Sequence, residues 1–463
     1  MSETSTSSAR HPWPDYRAIW RWHFYAGLFC IPFVVVLAIS GSIYLFKPQI
    51  EAWIDRDHDH LSLEGSTASA ESQVLAAVAA VPGSRFQSYE LPINNRAAGR
   101  VLVRDATGVT RVYVHPGTLA ILKTVREDER LMKVLFRVHG ELLMGNRGST
   151  LVELAASWAI IMILTGLVLW WPRGANGVAG VVYPRLGRSS RVFWRDLHAV
   201  TGFWISGLAL FLLLSGLPWA KFWGDYLKSV RGMTGTAVAR QDWSNDKSRG
   251  GNSAPSGEHS GHGSSSGGSW RNRASDKPAD LKALDRIVAT VQPLGLAPPV
   301  VIAPPAAGSS GWTAKSMAGN RTLRVDLTLD GATGAITSRQ DFRDRHLIDR
   351  VVGTGIAAHE GQLFGWPNQL LGVATALGLV LLSVSSVVLW WARRDRGVLG
   401  APRGGASPRF SWGLLALVVL LGVYLPLFGA SLIAVKLLEK AVLVRIPRVR
   451  DWLGLAAPTL ATA

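Results

Sequence analysis

The chain has 463 residues, 48% of them hydrophobic and only 17% charged, with a formal net charge of +17. Soluble domains average roughly 25% charged residues, so this deficit and the 19 Trp residues argue against an ordinary soluble protein and for a lipid bilayer as partner. A single cysteine, Cys30, excludes an intrachain disulfide and a Cys-ligated iron–sulfur cluster. The basic residues sit beside apolar runs, so membrane orientation explains them and no nucleic-acid partner is expected.

Five apolar stretches, 24–46, 154–171, 198–220, 363–391 and 410–435, approach or exceed the ~20 residues needed to cross a bilayer, and none contains Asp, Glu, Lys or Arg. With their flanks they give spans at 24–46, 149–171, 197–220, 363–391 and 410–435. The first is too long for a signal peptide core and lacks a small-residue cleavage site after it, so it reads as a retained helix. Arg10, Arg17 and Arg21 in the tail 1–23 precede it. Arg173, Arg185, Arg188, Arg191 and Arg195 lie in the loop 172–196, and Arg393, Arg394, Arg396, Arg403 and Arg409 in the loop 392–409. The positive-inside rule makes these three segments cytoplasmic. The long segments 47–148 and 221–362 then lie outside, as two separate domains. Five spans also place the tail 436–463 outside, against its Lys436, Lys440, Arg445, Arg448 and Arg450; either the last span re-enters or the tail lies on the surface.

Each outer segment reads as a small α+β domain. The first has a helix at 72–81 and strands near 100–104, 110–115 and 121–125. The second has a helix at 280–291 and strands at 322–329 and 335–339 about the Asp330-Gly331 turn. The Gly/Ser-rich stretch 244–275, with His259 and His262, reads as a flexible linker. Asp57-His58-Asp59-His60 reads as a solvated linker, His11, His115 and His346 as surface positions, and Cys30 as a small packing residue.

The sequence repeats itself. A shift of 175 overlays His23 on His198, Gly27 on Gly202, Ser40 on Ser215 and Gly41 on Gly216. A shift of 220 overlays His139 on His359, Gly145 on Gly365, Leu169-Trp170-Trp171 on Leu389-Trp390-Trp391 and Arg173 on Arg393. Parallel repeats are related by an axis along the membrane normal. His23 is then expected to oppose His198 near the cytoplasmic surface, and His139 to oppose His359 near the outer one. Ionisable groups at membrane depth signal function, and two opposed imidazoles suit a six-coordinate haem iron between helices. Gly27 and Gly202, one turn after their histidines, leave room for a flat macrocycle. Arg21, Arg195, Arg137 and Arg147 suit its propionates. His139 and His359 each lie 31 residues before a Trp, ~46 Å of helix and more than a hydrocarbon core, so they belong to short helices ahead of their spans.

Several motifs resemble the PepSY-associated transmembrane family, the iron-regulated inner-membrane proteins that include ferric-siderophore reductases. They are Trp22-His23-Phe24-Tyr25-Ala26-Gly27, Arg137-Val138-His139-Gly140, Leu169-Trp170-Trp171-Pro172, Asp196-Leu197-His198, Leu389-Trp390-Trp391 and the tail Ile446-Pro447-Arg448-Val449-Arg450-Asp451-Trp452-Leu453. The fold expected is an α-helical membrane bundle of about five spans in two parallel repeats, with two extracytoplasmic α+β PepSY-like domains. The resemblance implies two b-type haems per chain, ligated by His23, His139, His198 and His359, in a bacterial inner membrane. It also implies electron transfer outward to a ferric siderophore or other Fe(III) chelate. No G-x-G-x-x-G follows a strand and no P-loop occurs, so the electron donor is expected to be a quinol or a cytoplasmic flavoprotein. Two other classes fit parts of the chain: a PepSY-domain sensor or peptidase-regulating membrane protein, and an iron-chelate permease.

Overall fold

The computed structural model describes residues 16–63, 65–172, 177–236, 280–306, 311–402 and 412–455. His11, Arg173 and the linker 244–275 with His259 and His262 lie outside the described residues. The helices are α1 (Tyr16–Tyr44), α2 (Lys47–Asp59), α3 (Ala70–Ala80), α4 (Leu131–Glu141), α5 (Asn146–Trp170), α6 (Ser190–Gly216), α7 (Lys221–Met233), α8 (Lys282–Val291), α9 (Leu347–His359), α10 (Trp366–Arg393), α11 (Trp412–Tyr424), α12 (Pro426–Ala441) and α13 (Pro447–Leu453). The strands are β1 (Arg85–Glu90), β2 (Gly99–Arg104), β3 (Val109–Val114), β4 (Ile121–Arg126), β5 (Val300–Ala303), β6 (Gly311–Ser316), β7 (Val325–Asp330) and β8 (Ile336–Asp341). The chain divides into a helical unit (Met1–Ile39, Thr150–Tyr226, Ala374–Ala463) and a sheet unit (Ser40–Ser149, Leu227–Val373).

Among the described residues four helices are long and apolar enough to cross a membrane: α1, α5, α6 with its short continuation to Trp219, and α10. In lipid a helix satisfies every backbone group internally, which is why apolar runs of this length become single helices. α1 tolerates Pro32 in its interior, as membrane helices do where neighbours compensate the lost hydrogen bond.

The expected fifth span at 410–435 is corrected: it is two helices, α11 and α12, broken at Leu425–Pro426. Proline has no N–H and its ring clashes with the preceding turn. Seven residues of straight helix rise about 10 Å, yet a Cβ built on Gly429 would lie 3.1 Å from the Cα of Gly422. The chain therefore doubles back, and two glycines facing each other allow the close approach. The apex is held by Leu425 and Phe428 packed with Ile160 and Leu217. The indoles of Trp158 and Trp223 donate to Ser431 Oγ and to the Tyr424 carbonyl, both at 3.0 Å. The tail returns to the end of the unit where α1 begins. There Arg21 donates to the Gly454 and Pro402 carbonyls (2.7 and 3.2 Å), Tyr25 to the Leu453 carbonyl (2.5 Å), and the Leu399 N–H to the Trp452 carbonyl (2.9 Å).

In the sheet unit the two outer segments do not fold as separate domains. They build one antiparallel eight-stranded sheet in the order β4-β3-β2-β1-β5-β6-β7-β8. The halves join where β1 pairs β5, Tyr89 opposite Ile302 and Glu90 opposite Val301. Each half alone would expose an edge strand's unpaired backbone, and the junction removes two such edges. Val74 and Ala77 of α3 and Leu284, Ile287 and Val291 of α8 share one core with Val101, Val103, Val112, Ile302, Leu327 and Leu329 of the strands.

The segment 57–60 is not the solvated linker expected. It closes α2, whose Asp55 and Asp59 are buried. Asp59 takes a 2.5 Å hydrogen bond from Arg100, and Asp55 accepts from the Tyr113 hydroxyl. Beside them buried Arg111 pairs with Glu90 (2.6 Å) and Glu127 (2.9 Å). Burial works to raise the Glu127 pKa, but Arg111 and Arg130 outweigh it and hold the carboxyl at about 2. A depressed carboxylate pKa stabilises fully above the unfolded value of 4.5 and less as pH falls toward about 2. Arg111→Met leaves Glu90 only the 3.8 Å contact with Arg100. It is expected to cost the sheet unit about 3–5 kcal/mol at neutral pH, read from denaturant unfolding.

Candidate functional site

In the helical unit His23 of α1 and His198 of α6 face each other, ring centroids 6.4 Å apart and planes at 83°. His23 Nδ1 lies 2.9 Å from the Met162 carbonyl and 3.3 Å from Thr165 Oγ1 on α5. A carbonyl only accepts, so Nδ1 carries the proton and Nε2 keeps its lone pair. His198 Nδ1 lies 3.0 Å from Ser385 Oγ on α10. That hydroxyl donates to the Leu382 carbonyl, which leaves its oxygen to accept from Nδ1–H and fixes the same tautomer. Thr165 and Ser385 are 220 residues apart, as are Met162 and Leu382, so the two imidazoles are held alike. A Cβ on Gly166 would come within 3.0 Å of His23 Cε1; glycine here lets α5 lie against the ring.

The sheet unit holds a second pair. His139 near the end of α4 and His359 at the end of α9 have centroids 6.3 Å apart and planes at 82°. Both sit on short helices ahead of the long ones. After α4 the chain turns through left-handed Leu142, Leu143 and Gly145, and after α9 through left-handed Gly361 and Gly365. Asn368 pins the second turn by donating to the Ala358 carbonyl and accepting from the Leu363 N–H. His139 Nδ1 shares a 3.1 Å hydrogen bond with Ser40 Oγ. A Cβ on neighbouring Gly41 would fall 3.0 Å from His139 Cε1.

Both spacings suit one metal held between two rings. A metal–imidazole bond of about 2 Å plus about 1.1 Å from nitrogen to ring centre, doubled, comes to about 6.2 Å. Among the described residues no group of three or more His, Cys, Asp or Glu gathers to hold a metal ion, so a tetrahedral zinc-type site has no donor set here. Two opposed neutral imidazoles are a donor set that fits a six-coordinate haem iron, whose porphyrin would supply the other four nitrogens.

The other expected site residues divide. At Gly27 and Gly202, one turn after their histidines, a Cβ would meet Met162 Sδ and Leu382 Cδ2, each at 3.6 Å. Arg21 is tied to the tail and to the Pro402 carbonyl, and Arg195 pairs with Asp196 at 2.8 Å. Half-buried Arg137 and exposed Arg147 make no side-chain hydrogen bond or ion pair among the described residues. His115 accepts from the Gly117 and Thr118 N–H groups, and His346 caps α9. Buried Cys30 donates weakly to the Ala155 carbonyl. Sequence reasoning missed the roles of Thr165, Ser385, Gly166 and Ser40; the recurrence of a hydroxyl at 165 and 385 is the signal that marks the first two.

A family model described as PepSY-associated TM region matches residues 20–393. No curated protein matches the chain.

Proposed function

The chain belongs to the PepSY-associated transmembrane family, and on that footing we propose that it is a di-haem b membrane reductase. It passes electrons from a quinol or cytoplasmic flavoprotein to an extracytoplasmic ferric chelate of the siderophore kind, releasing Fe(II). The observation that carries this reading is the pair of imidazole pairs, one in each unit, at 6.4 and 6.3 Å.

The positive-inside rule supports the orientation. Arg185, Arg188, Arg191, Arg195, Arg393, Arg394 and Arg396 flank the ends of α5, α6 and α10, and this side is read as the cytoplasm of a bacterium's inner membrane. The sheet unit is then extracytoplasmic, where a chelate arrives.

Bound at each pair, a haem supplies a one-electron couple. His23 and His198 present neutral Nε2 atoms, and the groups on their Nδ1 atoms hold the rings in place and raise their basicity. His139, hydrogen-bonded to the Ser40 hydroxyl, and His359, followed by the Asn368-braced turn, would hold the second group from two short helices. Reduction of Fe(III) weakens its hold on hard oxygen donors. Neither a peptidase-regulating module nor a permease gives the four histidines a task.

Purified protein tests this reading. The expected result is a reduced-minus-oxidised spectrum with b-type bands, two haems per chain, and oxidation of the reduced protein by ferric chelates in stopped flow. A colourless, folded preparation overturns it. Within this reading Ser385→Ala is expected to weaken haem binding at the His23–His198 pair by about 10-fold or more. It also raises that haem's midpoint potential, because the less basic ligand stabilises Fe(III) less.

A further inference from the structure

The α11–α12 hairpin leads into a stretch, 436–453, whose acids do not match its bases. On α12, Ile433 and Leu437 are each 64% exposed and project about 40° apart around the axis. Lys436 and Lys440 fall within about 60° of Ile433 on the same projection, so both lysines share the exposed apolar face of α12. Beyond the helix exposed apolar and basic residues alternate: Val442, Arg445, Ile446, Arg448 and Trp452. The two carboxylates of the stretch each hold a cation already, Glu439 with Lys436 at 2.9 Å and Asp451 with Arg450 at 2.8 Å. Lys440, Arg445 and Arg448 make no side-chain hydrogen bond or ion pair among the described residues. Lys440 stands about 21 Å of helix beyond Pro426, away from the apex that packs on Ile160 and Leu217. The far end of the stretch is tied to the start of α1, where the Leu453 and Gly454 carbonyls accept from Tyr25 and Arg21. A lysine on a lipid-facing surface lays its methylenes along acyl chains and lifts its ammonium to the headgroups. Cations clustered there beside an interfacial Trp favour lipids of net negative charge.

We propose that Lys440, Arg445 and Arg448 form a binding surface for the headgroups of anionic phospholipids, with Leu437, Val442, Ile446 and Trp452 seated among the acyl chains. A zwitterionic headgroup carries its own cation beside the phosphate, so it gains less from these three side chains than phosphatidylglycerol does. Arg21 and Tyr25 stand on either side of His23 on α1, and their bonds to the Gly454 and Leu453 carbonyls join this stretch to that helix. Lipid held at the tail therefore steadies the helix that carries the His23 ring.

Full-length protein reconstituted in phosphatidylcholine vesicles tests this, probed by electron spin resonance with spin-labelled phosphatidylglycerol and phosphatidylcholine. Unmodified protein is expected to favour phosphatidylglycerol about twofold or more at low salt, and less at high salt. Lys440→Gln with Arg445→Gln and Arg448→Gln should remove most of that preference, and Lys440→Arg with Arg445→Lys and Arg448→Lys should keep it. Arg188→Gln with Arg191→Gln and Arg396→Gln removes the same charge from exposed positions elsewhere and should lose less than half as much. Melting temperature in detergent checks the fold of each variant. If the glutamine triple does not fold, Arg448→Gln alone leaves α12 untouched and should show a partial loss. No preference in the unmodified protein overturns the proposal. Equal losses in the tail triple and its control also overturn it, and assign the preference to net charge.

Discussion

Alanine in place of His198 is expected to yield a folded protein with one haem per chain instead of two. The side chain lies between α6 and α10, its Nδ1 satisfied by Ser385 and its ring opposite His23. Alanine is the best helix former, so α6 persists. What goes is one of two axial donors, and a lone imidazole does not hold a six-coordinate iron. The sheet-unit pair is untouched and keeps its own haem, an internal control for folding. His359→Ala should give the reciprocal loss, and the two together a colourless protein. The measurement is haem content against protein content, with the surviving bands assigned by potentiometric titration. A ratio that stays at two after either single replacement would remove these histidines from the site.

The second large effect is all-or-none. A reporter fused after residue 455 is expected to report the same side of the membrane as one fused ahead of α1. The reversal at Leu425–Pro426 and the facing of Gly422 on Gly429 turn the last apolar segment back. Four crossings then leave both termini together, and Lys436, Lys440, Arg445, Arg448 and Arg450 join the arginines of the two loops on one side. A five-span chain would carry those five cations outside, against the charge bias. A tail labelled from the outside by an impermeant reagent would refute the hairpin.

The four imidazoles were legible because the residues around each recur around its mate, at an offset of 175 for one pair and 220 for the other. Their immediate support was harder to see. Thr165 and Ser385 stand in runs where hydroxyls look like ordinary membrane packing, and only the position of their helices makes them partners of Nδ1. The hairpin was hidden because 410–435 has the composition of a span, while Pro426 alone is compatible with a kinked one. The sheet was seen in fragments. Arg85–Glu90 carries no alternation of apolar and polar residues, and Val300–Ala303 is too short to declare itself. The junction between them is a tertiary event with no local signature. The misreading of 57–60 has the same root: charged residues look solvated until Arg100 and Tyr113 arrive from distant strands.

One feature of the helical unit bears on how the protein is made. Each imidazole is braced from within its own half, His23 by α5 and His198 by α10, while the centre they face is common to both. Synthesis can therefore set the first ring before the second half leaves the ribosome. On the di-haem reading, a group bound between the two rings would then join two halves that are each already braced.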